Sequence, residues 1–161
     1  IRHRAAAART GIAMNASADT IDVLLVEDNP DDAEFTLRAL RRANVALNVA
    51  HVENGVVALE FMFGTGSYTA RAGATLPRVV LLDLKIPRVD GHEVLRRIKS
   101  DPRTRLQPVV VLTSSRERRD IEASYAVGAN SYIVKPVDYP DLVSTLGALT
   151  RYWLQMNERP A

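Results

Sequence analysis

Glu27-Asp28, Asp83, Thr113 and Lys135 each follow or close a short apolar run: Val23–Val26, Val79–Leu82, Val109–Leu112 and Tyr132–Val134 respectively. Brought together, three carboxylates, a hydroxyl and an ammonium can hold a divalent cation and a phosphoryl group against a carboxylate. The three carboxylates would repel one another and carry raised pKa values unless a cation neutralised them. Mg²⁺ suits such a site, because it takes hard oxygen ligands with little protein caging and accepts phosphate as a further ligand. Lys135 brings a point charge for a phosphoryl oxygen, and Thr113 a hydroxyl that can donate to the same group. Asp83 is poorly explained as a helix cap, since no helix start follows until Asp90. Asp31 and Asp32, by contrast, read as acids at the positive end of a helix dipole.

Convergence requires a scaffold. Short runs that are apolar on both faces read as buried parallel strands. In an open parallel sheet, sites lie outside the carboxyl ends of the strands, where these residues would share one rim. Helical spacing fills the intervals. Pro30 suits a first helical position, with Ala33, Leu37 and Leu40 following up to about Ala43. A second strand is predicted around Leu47 to Val52 and a helix from about Gly55 to Phe63. Gly64 to Leu76 reads as a surface loop, and a helix opening at Asp90-Gly91 closes at Asp101-Pro102. Another helix runs from about Arg116 to Val127 and stops at Gly128, and a last one is capped at Asp138 and lined by Leu142, Leu146, Leu149 and Trp153. Five strands alternating with five helices predict a doubly wound α/β fold.

The Lys135-Pro136 bond is a candidate cis peptide, which would aim the lysine inward. Tyr132, alternating with Val134 beside Lys135, is a candidate mobile reporter of the site. His51 and His92 lack metal partners at ligand spacing and read as structural or surface residues. No phosphate-binding glycine loop follows the first strand, and the acidic turn Glu27 to Asp32 would repel the bare phosphate of a nucleotide or flavin.

The chain of 161 residues fits one domain with a full core, and its 47% hydrophobic content is ordinary for a globular protein. No apolar stretch is long enough for a membrane span, and the absence of cysteine suits a cytoplasmic location. Arg2, Arg4 and Arg9 against Asp19 account for the whole net charge of +2, so the rest is balanced and no nucleic-acid partner is expected. Residues 1–20 read as a disordered tail of added or upstream-translated sequence, with Met14 a natural start and a transit peptide the alternative. The domain is placed at 21–150, with 151–161 extending the last helix and a candidate part of a dimer interface.

Val-Glu-Asp-Asn-Pro, Leu-Leu-Asp-Leu-Lys-Ile-Pro, Asp-Gly, Val-Leu-Thr-Ser and Tyr-Ile-Val-Lys-Pro occur in this order, and over about Ile21 to Leu149 the chain resembles the receiver domains of two-component response regulators. The resemblance implies a flavodoxin-like sheet of order 2-1-3-4-5. It implies that Asp83 accepts a phosphoryl group from a histidine kinase or phosphotransfer protein, with Mg²⁺ held by Glu27, Asp28, Asp83 and the backbone carbonyl of Lys85. Thr113 and Tyr132 match the switch pair and Lys135 the phosphate-binding lysine. The acidic opening, the long loop before strand three and Tyr152-Trp153-Leu154 are most similar to stand-alone regulators paired with phytochrome-type kinases. A single-domain, homodimeric signalling protein is therefore expected, not an enzyme beyond assisting its own phosphorylation and dephosphorylation. Lys85 is a departure, since asparagine or methionine is frequent at that place in relatives, and it leaves the phosphorylated lifetime open. An aspartate-nucleophile phosphatase, which wants an acid at that place, and a degenerate receiver acting as a constitutive binding module are the rival readings.

Overall fold

The structure, a computed structural model, describes residues 20–44 and 46–160, so the expected tail lies, but for Thr20, outside the described residues. Strands β1 (Val23–Val26), β2 (Val49–Val52), β3 (Val79–Leu82), β4 (Val109–Thr113) and β5 (Ser131–Val134) form one parallel sheet in the order β2-β1-β3-β4-β5. Helices α1 (Pro30–Ala43), α2 (Gly55–Phe63), α3 (Gly91–Ser100), α4 (Arg118–Val127) and α5 (Tyr139–Arg151) alternate with them. This is the expected flavodoxin-like topology.

The alternation of side chains along each strand divides the core in two. Val23, Leu25, Val79, Leu81, Val110 and Leu112 face Leu40 of α1 and Leu142, Leu146 and Leu149 of α5. Their neighbours Leu24, Val26, Val80, Leu82 and Val111 face Leu59 and Met62 of α2 and Val94, Leu95 and Ile98 of α3. Each fully buried side chain of this kind is worth roughly 1.5–3 kcal/mol, so both faces of β1, β3 and β4 are firmly held. The edge strand β5 departs from the expectation of burial: all four of its residues are half-buried, since only one sheet neighbour covers it.

Other boundaries move for local reasons. An Asn44 turn, with Ala46 N–H donating to Asn44 Oδ1 at 3.0 Å, delays β2 to Val49. The segment read as a loop contains a 3₁₀ stretch over Gly66–Arg71. Tyr68 packs edge-on against Phe61 with ring centroids 5.2 Å apart, and the Arg71 guanidinium lies over the same ring. Those anchors have no periodic signature. Beyond α5 a π-helical turn over Tyr152–Met156 buries Leu154, whose carbonyl accepts from Arg78.

The loop after β3 is pinned by Gly91, whose N–H donates to Leu84 O at 2.9 Å. A β-carbon at Gly91 would overlap the Asp83 carbonyl oxygen and approach Leu84 Cα to 2.5 Å. Gly91→Ala is therefore expected to lower the unfolding free energy by about 1–3 kcal/mol, read from urea denaturation. An unchanged midpoint would show that the loop yields freely.

Candidate functional site

All five strands run parallel, so their carboxyl ends form one rim. The pairing of Val26 with Leu82 places Glu27 and Asp83 side by side, and Asp83 N–H donates to Val26 O at 3.1 Å. The pairing of Thr113 with Val134 puts Lys135 at the same level, its N–H donating to Thr113 O at 2.8 Å. From there the Lys135 ammonium reaches back across β4 and β3. It lies 3.0 Å from Asp83 Oδ2 and in contact with Glu27 Oε2.

Glu27 is almost fully buried and both its oxygens are engaged, Oε2 by Lys135 and Oε1 by the N–H of Asn29 at 3.0 Å. Burial raises the Glu27 carboxyl to about 6, against the lowering effect of Lys135. Burial also pushes Lys135 down, but its bonds to Glu27 and its attraction to Asp83 outweigh that, and its pKa rises. Burial thus wins at the carboxylate and pairing wins at the ammonium. His51 Nε2 must donate to the Glu27 carbonyl oxygen, 2.8 Å away, which fixes the backbone beneath this carboxylate.

One oxygen from each of Glu27, Asp28 and Asp83 lies within 4.8 Å of the others. Lys135 offsets only part of their charge, and the donors are all hard oxygens, so the set fits Mg²⁺ or Mn²⁺. Glu27 is bonded through both oxygens, and Asp83 through Oδ2 to Lys135, while Asp28 is exposed. Lys85 is exposed, and its backbone N–H lies 3.4 Å from Asp83 Oδ1.

Thr113 and Tyr132 meet through Ser115. Thr113 Oγ1 accepts from the Ser115 N–H at 3.4 Å, and the Tyr132 hydroxyl donates to the Ser115 carbonyl at 3.0 Å. The Ser115 hydroxyl in turn bonds Asp120 in the first turn of α4 and accepts from Glu117 N–H. This clasp starts α4 at Arg118 instead of Arg116. His92, read as structural or surface, joins α3 to α4 through Ser124 Oγ at 3.0 Å.

One expectation is corrected. The Lys135-Pro136 bond is not cis, and no cis bond occurs among the described residues. The bond is trans, the isomer that X–Pro bonds prefer by about 0.5–1 kcal/mol, and Lys135 meets both carboxylates. Two residues of the site escape a strand-end reading. Asn29 is the N-cap of α1, its Oδ1 accepting from Asp31 and Asp32 N–H, and its signal is its place directly before Pro30. Asp32 lies 3.5 Å from Lys135 Nζ, a contact without a sequence signal.

A family model described as the response regulator receiver domain matches residues 23–147. The probable methanogenesis regulatory protein FilR2 of Methanothrix harundinacea is 40% identical over 88% of this chain and 89% of its own. Response regulator Rcp1 of Synechocystis is 33% identical over 86% of this chain and 92% of its own. The crystal structure of the Mn²⁺-bound form of Rcp1 has a TM-score of 0.78 at 32% identity, covering 89% of this chain and 99% of that one. The phosphorylated cyanobacterial phytochrome response regulator RcpA gives a TM-score of 0.80 at 35% identity, over 89% of this chain and 99% of its own.

The raised Glu27 sets a pH dependence. Its folded value of about 6 exceeds the ordinary 4.5, so between the two the metal-free folded state binds more protons than the unfolded chain. This group therefore adds stability as pH falls through that window and loses it as pH rises. A divalent cation favours the ionised carboxylates and acts in the opposite sense. The gain in urea midpoint on adding saturating Mg²⁺ is expected to be larger near pH 7 than near pH 5, and Glu27→Gln to flatten the difference. Equal gains at both pH values in the wild type would contradict the assignment.

Proposed function

This chain belongs to the response regulator receiver family of two-component signal transduction, and from that premise we propose that it is phosphorylated on Asp83 and signals through a changed protein-binding surface. The observation that carries the reading is the Lys135 ammonium 3.0 Å from Asp83 on a rim with two further carboxylates. Receiver domains take their phosphoryl group from histidine kinases. The phytochrome relatives support a phytochrome-type kinase as the donor here, directly or through a phosphotransfer protein.

In the proposed reaction an Asp83 carboxylate oxygen bonds to phosphorus as the P–N bond to the donor imidazole breaks and that nitrogen takes up a proton. Lys135 then passes from the free carboxylate to a phosphoryl oxygen. Asp28, Asp83 and the Lys85 carbonyl, with Glu27 behind them, would hold Mg²⁺, which when bound supplies charge neutralisation for the phosphoryl oxygens. Thr113 turns its hydroxyl toward the new group. Because Ser115 N–H rests on that hydroxyl and the Ser115 carbonyl holds Tyr132, movement of Thr113 alters the β4–α4 loop and the tyrosine together. The protein is thus a phosphoacceptor that assists its own phosphorylation and dephosphorylation. A cytoplasmic location accords with this role, and no described helix is long and apolar enough to cross a membrane.

A small phosphodonor with Mg²⁺ should label the protein at Asp83. Asp83→Asn or chelation of the metal should abolish labelling, as read by intact mass. Equal labelling of the asparagine variant would overturn the assignment.

Exposed Tyr125 on α4 and exposed Tyr152 and Met156 beyond α5 support a homodimer through the α4–β5–α5 face and the C-terminal aromatic segment. Sedimentation at ~100 μM, where a pair of about −6 kcal/mol would associate, should show dimer. Monomer alone would refute it.

A further inference from the structure

Lys135 has a third acidic neighbour. Its Nζ lies 3.5 Å from Asp32 Oδ2, a side chain of α1. The three partners differ in kind: the side chains of Glu27 and Asp83 are 2% and 11% exposed, that of Asp32 51%. The two buried acids, at shorter range, are sufficient to place the ammonium. Asp32 is therefore not needed to position Lys135 at rest, and a half-exposed pair at this distance contributes little to stability.

Its place is nevertheless built. Asn29 Oδ1 takes the N–H groups of Asp31 and Asp32 at 3.0 Å, and Pro30 sets the first turn of α1, so the Asp32 backbone is fixed at the helix entrance. Asp32 also lines a cavity of about 310 Å³ beside Lys135, with Phe35, Ser114, Pro136 and Tyr139 among the other walls. A phosphoryl group arriving on Asp83 needs the same ammonium and carries charge of the same sign as Asp32.

We propose that Asp32 competes with the phosphoryl group for Lys135 and so weakens the hold of the site on phosphodonor and phosphoryl product. This inference rests on the reading of Asp83 as the phosphoacceptor. It assigns Asp32 a restraining role, in which its negative charge opposes phosphoryl binding without taking part in bond making.

The test uses beryllofluoride, a phosphoryl mimic, with the full chain and saturating Mg²⁺. Asp32→Asn should bind it about 3- to 10-fold more tightly than wild type, the advantage shrinking at high salt because the competition is between partly exposed charges. The same variant should lower KM for a small phosphodonor with kcat little changed, and Asp32→Glu should remain close to wild type. A merely structural role for Asp32 would leave the salt dependence and the KM unaltered. Unchanged or weaker binding by Asp32→Asn, while wild type binds, would overturn this inference alone. Failure of wild type to bind beryllofluoride at all would overturn the phosphoacceptor reading beneath it.

Discussion

An ammonium shared by two carboxylates at the carboxyl end of a parallel sheet is the interaction on which this site turns. Removing Lys135 and Glu27 from water is costly, and the cost is offset only because the ammonium meets Glu27 and Asp83 together while Glu27 takes a second bond from Asn29. The arrangement still leaves more negative than positive charge on the rim. That residual charge suits a divalent cation, and the lysine stands where a phosphoryl group on Asp83 could meet it.

The fold supplies this geometry with little freedom. Register between β1 and β3 sets Glu27 beside Asp83, and β4–β5 pairing sets the level of Lys135. Both faces of the central strands are packed, so a change at the rim cannot be absorbed by the core. It must pass into the loops. Contacts lead away from the rim from Thr113 to Ser115 to Tyr132, and from Lys135 to Asp32 of α1. The first joins the site to α4 and the edge strand, whose residues are less deeply buried than those of β1, β3 and β4.

Much of this was legible in the residues because strands buried on both faces leave an unmistakable run, and the polar residue closing each run must lie on the rim. The bounds of α1 and α2 were readable for a similar reason, having Pro30 at one entrance and Gly64 in a left-handed conformation at one exit. What was not legible depends on contacts between distant residues. The 3₁₀ stretch rests on Tyr68 and Arg71 meeting Phe61, the late start of α4 on the Ser115–Asp120 clasp, and the link from Asp32 to Lys135 on more than a hundred intervening residues. The Lys135-Pro136 bond, a candidate for cis, is trans, and proline chemistry permits either isomer.

The most direct test of the account is a crystal structure of the protein with Mg²⁺ and beryllofluoride. The account predicts beryllium on an Asp83 oxygen, with Lys135 Nζ moved from that carboxylate to within hydrogen-bond distance of a fluorine. Beryllofluoride bound elsewhere, or bound on Asp83 with Lys135 making no contact to it, would contradict the claim that this lysine is held ready for the phosphoryl group.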